Sequence, residues 1–407
     1  MTAQPPIHIL QFVPEVLPTH RADVAVLFGK YLPRHGITCD LVGWEDPNAS
    51  ASMPGFSRVR RIRAGGHRLL RDARFALSCL RMAMAVRKDQ CQLIQVRDMV
   101  SIGLLVMLVA RLKGIPFVYW MSFLMCEGRV LRARTQLAAF GGMRARLVLA
   151  KGLVEQVLLY RLVLRGAKHV CVQSDAMKEY IAAHGIAPER ISAVPMGVDT
   201  ELLEPDGAAR RPPGLDGMPI IAYLGTLDHM RRLDLVIDAL ALVRQRHPGA
   251  SLLLIGGSPD RTDTDKLQAH ARGSGLAGAV HITGWMPGQQ AWQLLRGSDV
   301  AISYIPRGLM YDYSSPTKLL EYLALGMPSV GNDSPDQLHV LTRSDAGWLA
   351  GNTPPDLAAA LNAVLDDPAA ARTRAARGPA FIDAVRSYRV IAAGLAPVYR
   401  TAAEANP

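Results

Sequence analysis

Residues 311–328, YDYSSPTKLLEYLALGMP, hold most of the residue types and spacings that suit chemistry. Ser315 followed by Pro316 predicts a helix start, because Ser is a good N-cap and Pro is favoured at the first helical position. A helix N-terminus presents unpaired N–H groups and a partial positive charge, and Lys318 adds a full charge less than one turn into the helix. The segment therefore predicts a phosphate site. Its hydroxyl donors would be Ser314, Ser315 and Thr317.

Glu321 lies three residues after Lys318 and hence on nearly the same face of the predicted helix. A carboxylate in that place can accept hydrogen bonds from vicinal hydroxyls such as those of a ribose. A phosphate site beside a ribose site predicts a nucleotide ligand. The alternative is a capped surface helix with a Lys–Glu ion pair, which is common in proteins that bind nothing.

A second group of basic residues lies in YLGTLDHMRRLDLVIDALALV, residues 223–243, which predicts a strand, a glycine turn and a helix. Arg231 and Arg232 stand at the opening of that helix. Turns at the carboxyl end of a parallel sheet are where α/β folds bind ligands, and guanidinium groups there suit a diphosphate. The alternative is an arginine pair that neutralises Asp228 and Asp234.

Other residues with chemical potential have ordinary explanations as well. Asp263–Thr264–Asp265 has the spacing of a metal motif, but its polar surroundings, SPDRTDTDK, favour a solvated loop. Trp285 follows a predicted strand and either flanks a bound base or belongs to the core. Three further polar residues at possible cleft edges are equally typical of turns or surfaces: His20, Arg21 and His229.

The elements that must position these residues form two series in which apolar runs alternate with helical patterns. The predicted strands are IHILQFV, ITCDLVGW, QLIQV, PFVYWM and HVCVQS in the first series and PIIAYLG, SLLLIGG, VHITGW, VAISYI and PSVGND in the second. This alternation predicts two mostly parallel, doubly wound α/β sheets. Neither series has GxGxxG after a strand, so the main nicotinamide-binding fingerprint is missing.

The series are separated where Pro, Gly and charge displace apolar periodicity, in DGAARRPPGLDGMP. The predicted organisation is a first domain at residues 1–205, a linker at 206–218, a second domain at 219–380 and a C-terminal helix at 381–407.

Composition limits the class of protein. The chain has 407 residues, of which 49% are hydrophobic and 20% charged, as in a folded globular chain of two or three domains. Five scattered cysteines without CxxC spacing predict neither a disulfide framework nor a zinc site and favour a reducing compartment. The N-terminus lacks the pattern of a signal peptide, and no apolar run is long enough to cross a bilayer. We therefore predict a cytoplasmic protein.

The net charge of +11 comes from the first half of the chain, because residues 1–200 carry 27 Lys and Arg against 14 Asp and Glu. Residues 56–88 hold ten basic residues and one acid, and residues 129–168 hold nine and one. Both stretches have apolar residues at helical spacing, which is typical of basic amphipathic helices on anionic membranes. The alternative is a core-facing helix with a solvated arginine face. Nucleic acid is disfavoured because the interleaved residues are aliphatic rather than aromatic.

Taken in order across residues 220–350, these segments resemble the donor domain of the retaining glycosyltransferases of family 4, the group 1 glycosyl transferases with a GT-B fold. LGTLDHMRRLDLVIDAL resembles the family's glycine turn, basic residue and helix, with Arg231 at the family's Lys position. SPTKLLEYLALGMPSVGND resembles the closing half of the Glu-x7-Glu motif, with Glu321 as the second Glu. VQSDAMKEYIAAHGIAPERISAVPMGVDTELLEP resembles the segment before the interdomain linker.

Two positions of the second domain depart from the family pattern. Tyr313 stands where the first Glu of the motif is usual, with Asp312 beside it, and Thr226 stands where many members have Arg. The missing Glu leaves open which residue contacts the donor sugar.

The resemblance implies two Rossmann-like domains that face a cleft, with the C-terminal helix crossing back to the first domain. It implies retaining transfer of a sugar from a UDP- or GDP-sugar. The basic, apolar first domain adds the expectation of a lipid-linked or polysaccharide acceptor, in bacterial exopolysaccharide, capsule or lipopolysaccharide synthesis. No metal or other cofactor is implied, since fixed positive charge can stabilise the leaving diphosphate. The implied catalytic residues are Arg231, Lys318 and Glu321. The implied donor-binding residues are Gly225, Thr226, Arg232, Trp285, Tyr313, Ser314, Ser315, Pro316 and Thr317.

The basic first half adds a further expectation, attachment to the inner face of the cell membrane through residues 56–88 and 129–168. Two other functions remain open at this point. One is a nucleotide-sugar epimerase of the same fold. The other is a catalytically inactive protein that binds membrane surfaces, for which Tyr313 in place of Glu is the argument.

Overall fold

The computed structural model describes residues 5–47, 52–63, 65–203 and 208–404, and the chain divides into two compact α/β units. The first unit contains the chain up to Gly197 together with the residues from Tyr388 onwards, and the second runs from Val198 to Ser387.

The strands are β1 (Ile7–Leu17), β2 (Ile37–Glu45), β3 (Arg58–Ile62), β4 (Leu93–Arg97), β5 (Phe117–Met121), β6 (His169–Val172), β7 (Ile191–Ala193), β8 (Ile220–Leu224), β9 (Ser251–Ile255), β10 (Val280–Ile282), β11 (Val300–Ser303), β12 (Ser329–Asn332) and β13 (Trp348–Ala350). The helices are α1 (Ala22–Val26), α2 (Arg68–Ala85), α3 (Val100–Leu112), α4 (Met125–Phe140), α5 (Met143–Leu158), α6 (Leu164–Gly166), α7 (Asp175–Ala183), α8 (Asp234–Arg246), α9 (Arg261–Gly273), α10 (Gly288–Arg296), α11 (Thr317–Ala324), α12 (Pro335–Ser344), α13 (Pro354–Asp366), α14 (Pro368–Ala375), α15 (Gly378–Val385) and α16 (Tyr388–Glu404).

The first unit is built on a sheet with strand order β3-β2-β1-β4-β5-β6-β7, and the second on a sheet with order β10-β9-β8-β11-β12-β13. All the paired strands run parallel. In each sheet the strand order reverses beside the first strand, which creates the switch point at which such folds bind ligands. The predicted architecture of two Rossmann-like α/β units is confirmed.

The sheet of the second unit is covered on both faces, as its continuous apolar strands require. Alternate residues of β8, Ile221 and Tyr223, belong to one buried cluster together with residues of α8 and α13. Their neighbours Ile220 and Ala222 belong to a cluster on the other side that contains Leu295 of α10. The strand is thereby fixed from both sides, and the residues that follow it are held at a defined place.

The ten strands predicted from the sequence are present, and β3, β7 and β13 were missed. The sequence of β3 is RVRRI, an edge strand whose residues are exposed or half-buried. Its basic composition made it look like part of an amphipathic helix, so the helical interpretation of residues 56–88 is wrong for this portion and holds only for α2. The strands β7 and β13 have three residues each, too few for a periodic signal.

The predicted domain borders differ from the division in the structure. The segment from residue 208 onwards belongs to the second unit, where the Arg210 N–H donates to the Gln293 carbonyl at 2.9 Å and Arg211 pairs with Asp299 at 3.1 Å. The Pro- and Gly-rich composition of residues 206–218 predicted a linker, but residues 208–218 belong to the second unit. Where the chain returns to the first unit, helix α16 begins at Tyr388 rather than at residue 381.

Helix α16 packs on the first unit, as expected for a C-terminal helix that returns to it. Its buried residues Leu395 and Tyr399 lie in one cluster with Ile9 and Trp120 of the sheet. The Tyr399 hydroxyl donates to Gln95 Oε1 at 2.6 Å, so the helix is also hydrogen-bonded to β4. Among the described helices, none has the length and apolar character needed to span a membrane.

Candidate active site

The segment that opens α11 differs from the sequence prediction. Helix α11 begins at Thr317, and Pro316 is the N-cap residue in an extended conformation. Ser315 therefore does not cap the helix, and Pro316 does not occupy its first turn. The Ser315 hydroxyl instead donates to Asp336 at 2.7 Å, next to the buried pair of Asp336 with Arg386. A hydrogen bond from the Ser315 hydroxyl to a charged carboxylate is stronger than one that the hydroxyl accepts from a helix N–H, which explains why Ser315 does not cap the helix.

Lys318 lies at the carboxyl edge of the second sheet. Its ammonium group sits 5.3 Å from the centre of the Tyr223 ring, and its side chain runs across Gly225, the residue after β8. Helix α11 is held there by Tyr322, whose hydroxyl accepts from the Leu224 N–H at 2.9 Å. The N-terminus of α11 and Lys318 therefore both lie at the carboxyl end of β8, beside the switch point.

Gly225 makes this approach possible. Its φ is +144°, and a Cβ atom added to it would lie 2.3 Å from the Lys318 Cε. We expect Gly225→Ala to displace the lysine and to strain the backbone by about 1–3 kcal/mol. The result should be at least a tenfold weaker affinity for a nucleoside diphosphate, measured by isothermal titration calorimetry.

Gly278→Ala is the matched control, because a Cβ atom added there has no neighbour within 4 Å. Unchanged nucleotide affinity in Gly225→Ala, with the protein folded, would contradict the placement of Lys318.

The two predicted arginines have different surroundings. Arg231 ends a short helical turn, lies 5.8 Å from the centre of the Tyr311 ring and is 3.4 Å from Asp228. Its charge is close enough to lower the pKa of Lys318. Arg232 has a left-handed backbone and pairs with Asp234 at 2.8 Å, as the alternative interpretation expected. The structure thus brings Arg231 and Lys318 together and directs Arg232 to the first turn of α8.

Lys318 and Glu321 both have perturbed pKa values. The pKa of Lys318 is lowered to about 8, chiefly by burial and also by the nearby charge of Arg231, against the opposing effects of Glu321 and Asp228. Burial raises the pKa of Glu321 to about 7, against the attraction of Lys318. In the described part of the chain no ion pair within 4 Å joins the two side chains, so they do not form the surface pair of the alternative interpretation. Perturbed groups at a sheet edge are typical of functional sites.

Trp285 is not a core residue. Its side chain is 64% exposed, and its indole nitrogen would lie 2.9 Å from a Cβ atom built on Gly257, the second residue after β9. The indole therefore stands over the carboxyl end of β9, next to the strand that leads to Gly225. An exposed aromatic ring in that place can stack on a planar ligand.

The remaining predicted donor residues lie around the same edge with local bonds of their own. The Thr226 carbonyl accepts from the Tyr223 hydroxyl at 3.3 Å, and the Ser314 hydroxyl donates to the Tyr311 carbonyl at 2.6 Å. Tyr313 is half-buried. Asp312, beside it, is paired with Arg307 at 2.7 Å.

The Asp263–Thr264–Asp265 segment lies in the first turn of α9, so its interpretation as a loop is wrong. Asp260 caps this helix by accepting from the Thr262 N–H. Asp263 is buried and bonded to Ser258 and His229, whereas Asp265 is exposed, so the two carboxylates do not converge. No set of three His, Cys, Asp or Glu residues within the described ranges is arranged to hold a metal ion.

The sequence analysis missed a charged cluster at the carboxyl edge of the first sheet. Arg97, at the end of β4, is fully buried, 2.6 Å from Asp23 and 3.0 Å from Glu15. Asp98 follows with a left-handed φ of 54° and accepts from the N–H and hydroxyl of Ser122. Burial raises the pKa of Asp98 against the opposing charge of Arg97. The signal was an Arg–Asp pair directly after an apolar strand.

Asp98 also lines a cavity of about 330 Å³ within the first unit. The residues that line it include Trp44 and Phe75, whose stacked rings have centres 4.2 Å apart, and the acids Asp72, Asp98 and Glu155. Aromatic rings and carboxylates together suit a polyhydroxylated ring, which offers apolar faces and hydroxyl donors. The volume falls at the lower end of the usual range for ligand pockets, about 300–1,000 Å³.

Comparison with protein families gives two matches in the same order as the two units. Residues 23–197 match the glycosyl transferase 4-like domain, and residues 208–379 match the glycosyl transferases group 1 domain. Together the matches include most of both sheets.

Individual relatives agree with this assignment. The chain is 31% identical over 222 residues to the phosphatidyl-myo-inositol mannosyltransferase of Mycobacterium tuberculosis, covering 52% of this chain and 54% of that protein. Matches to curated relatives thus span about half of their length. Among solved structures, sucrose-phosphate synthase from Thermosynechococcus elongatus has a TM-score of 0.72 at 19% identity, covering 97% of this chain and 98% of the other. Anabaena Alr3699/HepE, in complex with UDP, has a TM-score of 0.70 at 16% identity, covering 97% and 100%.

The family matches along both units, and the architecture shared with these structures, lead to one assignment. The chain belongs to the group 1 glycosyltransferases of family 4 and has the GT-B fold.

Proposed function

We propose that the protein transfers a sugar from a nucleoside diphosphate sugar to an acceptor hydroxyl, with retention at the anomeric carbon and without a metal ion. The observation that carries this proposal is the meeting of Lys318, Arg231 and the N-terminus of α11 at the end of β8. These groups place positive charge where a leaving diphosphate gains negative charge.

In the proposed reaction the bond between the anomeric carbon and the diphosphate oxygen breaks, and the acceptor oxygen forms its bond on the same face of the sugar. The proton of the acceptor hydroxyl passes to the leaving diphosphate oxygen, so no protein base is required. Lys318 and Arg231 stabilise the diphosphate, and Glu321 accepts from the ribose hydroxyls. Trp285 stacks on the base. The UDP complex of the Anabaena protein supports UDP-sugars as the first donors to test.

The proposed donor site gives a defined pH dependence. Lys318, with a pKa of about 8, loses its charge and its attraction for phosphate as the pH rises above that value. Glu321, with a pKa of about 7, loses its carboxylate as the pH falls below that value. The affinity for UDP or GDP, measured by calorimetry from pH 6 to 9.5, should therefore be highest between pH 7 and 8.

Two variants show which residue causes the loss of affinity on each side of the pH optimum, that is, on the acidic and alkaline limbs of the profile. Glu321→Gln should abolish the acidic limb and Lys318→Met the alkaline one. In Arg231→Met the alkaline limb should move to higher pH, because a like charge near Lys318 is removed. A profile that is flat in the wild-type protein would contradict the assignment of both groups.

We propose that the cavity beside Asp98 receives the acceptor. Its carboxylates can accept hydrogen bonds from the hydroxyls of a sugar or cyclitol, and its aromatic pair can pack against the ring. Asp98→Asn is the suitable variant, because Asn also tolerates the left-handed backbone. It should raise the KM for the acceptor about tenfold or more, as expected for the loss of a hydrogen bond to a charged group.

The same variant should leave the affinity for the nucleoside diphosphate unchanged, since Asp98 belongs to the other unit. Equal acceptor KM values in Asp98→Asn and wild type would remove this residue from the acceptor site.

Nucleoside diphosphate release from UDP- and GDP-sugars, with and without a glycan or lipid-linked acceptor, tests the proposed reaction. A transferase releases diphosphate only with the acceptor, whereas an epimerase needs no acceptor and converts the donor into its epimer without net release of diphosphate. The product anomer, read by NMR, tests retention. Activity that persists in EDTA supports metal independence, and activity that is lost in EDTA and restored by a divalent cation contradicts it.

We further propose that the acceptor is lipid-linked and that the protein works on the inner face of a bacterial membrane, in the synthesis of an envelope polysaccharide. The excess of positive charge in the first half of the chain supports attraction to anionic lipids. The relative with a phosphatidylinositol substrate in its name is consistent with a lipid acceptor. Cosedimentation with phosphatidylglycerol vesicles at low salt is expected, and absence of binding would contradict the attachment.

A further inference from the structure

Helix α5 exposes a continuous row of apolar side chains. Met143, Leu147, Ala150, Val154 and Val157 follow one another at intervals of four, three, four and three residues, which places them on one face of the helix. All five are exposed, and the four larger ones have 57–67% of their surface accessible. We call these five residues the α5 stripe.

Basic side chains flank the α5 stripe on both sides. At about 100° per residue, Arg144 and Lys151 project to one side of the row and Arg146 to the other. All three are exposed, and the one acid of residues 129–168, Glu155, is paired with Arg129 and Lys151. Phe140, which is 89% exposed, ends α4 just before the turn into α5.

Helix α2, the other basic helix, has an exposed row with the same spacing but different chemistry. Its members are Leu70, Arg74, Leu77, Arg81 and Met84, so two of the five are arginines. Its apolar residues Phe75, Cys79 and Ala83 are buried in the first unit. The alternative interpretation, a core-facing helix with a solvated arginine face, thus describes α2. It does not describe α5, whose outward row is apolar.

We propose that α5 lies along the surface of an anionic bilayer with the α5 stripe among the acyl chains, and that it is the element through which the enzyme inserts. This proposal deepens the membrane attachment of the proposed function and rests on it. The helix has 16 residues, about 24 Å, and an apolar face bordered by Arg and Lys is the pattern of interfacial helices. The basic residues then reach the lipid phosphates while their stems lie along the apolar boundary.

The basic residues beside the α5 stripe favour a bilayer, rather than a second copy of the chain, as the surface that covers it. Two α5 stripes packed against each other would gather Arg144, Arg146 and Lys151 of both copies at one interface, where like charges are destabilising. Glu155, the one acid of α5, is already paired with Arg129 and Lys151. Anionic headgroups neutralise all three basic residues of α5.

The test uses single cysteines that carry an environment-sensitive fluorophore. The five native cysteines are buried, so the label reacts at Val154→Cys on α5 or at Leu77→Cys on α2. With phosphatidylglycerol–phosphatidylcholine vesicles, the label at residue 154 should shift to shorter wavelength and become inaccessible to aqueous quencher, and the label at residue 77 should do neither. Leu147→Asp should weaken vesicle binding at least tenfold, whereas Leu77→Asp, the matched control, should change it less than twofold.

Two results would overturn the proposal. If vesicles bind but the label at residue 154 stays in water, attachment is electrostatic and the α5 stripe does not insert. If light scattering shows a lipid-free dimer that Leu147→Asp converts to a monomer, the stripe is an interface between copies. The nucleoside diphosphate thermal shift of the same variants should equal that of wild type, which shows that they are folded. Its absence in wild type would indicate failure of the donor-site proposal instead.

Discussion

Replacing Lys318 with methionine is expected to lower kcat for sugar transfer about 100- to 1,000-fold, corresponding to about 2.7–4 kcal/mol of lost transition-state stabilisation. The lysine stem packs across Gly225 and its ammonium group lies beside Tyr223 at the helix N-terminus. Methionine retains an unbranched apolar stem of similar length and removes the charge, so the loss reports electrostatics rather than packing. Steady-state rates of nucleoside diphosphate release measure it.

Arg232→Met is the matched control for this experiment. Arg232 is also a basic residue of the predicted donor site, but it is paired with Asp234 and more than half exposed. Its loss should change kcat less than fivefold. Equal rates for wild type and Lys318→Met, or a larger loss in Arg232→Met, would show that the wrong cation has been assigned to the diphosphate.

Replacing Arg386 with methionine is expected to lower the free energy of unfolding by about 3–5 kcal/mol. Arg386 and Asp336 are both buried, lie 2.5 Å apart and enclose the Ser315 hydroxyl. Without the guanidinium, Asp336 becomes an unpaired buried charge. For a chain of 407 residues the melting temperature should fall by about 4–6 °C in a calorimetric scan.

Two comparisons separate this effect from a general loss of charge. Arg246→Met breaks a 2.7 Å pair with Asp366 that is largely exposed, and should cost less than about 1 kcal/mol. The double variant Arg386→Met with Asp336→Leu should recover most of the stability, because no charge is left unpaired. If Arg386→Met alone were as stable as wild type, the stabilising pair of Arg386 and Asp336 around the Ser315 hydroxyl would be refuted.

The fold was predictable from the sequence because apolar strands buried on both faces leave a clear pattern. The strands IHILQFV and SLLLIGG are examples, and their positions fixed the two-unit architecture. Two features were not predicted. One is the strand β3, whose composition is basic, and the other is the border between the units, which was predicted near residue 206 from the irregular sequence there. In each case a tertiary contact decides the structure, sheet pairing with β2 for the first and the Arg211–Asp299 pair for the second.

The candidate site was predictable to a similar extent. Lys318, Glu321 and Arg231 were identified from type and spacing, and the structure places Lys318 and Arg231 near each other. The different surroundings of Arg231 and Arg232 were not predictable, because adjacent residues of a turn point in different directions according to backbone angles that the sequence does not reveal. The cavity beside Asp98 was missed because its walls come from separate strands and helices.

The proposed function requires that Lys318 and its neighbours bind a nucleoside diphosphate. A thermal-shift panel of UDP, GDP, ADP and their sugars, with wild type and Lys318→Met in parallel, is the measurement we would make first. A ligand at 100 times its Kd should stabilise the wild-type protein by about 2.7 kcal/mol. We predict a shift with one base and a clearly smaller one in Lys318→Met. The absence of any shift in folded wild-type protein, or equal shifts in the two proteins, would contradict this binding.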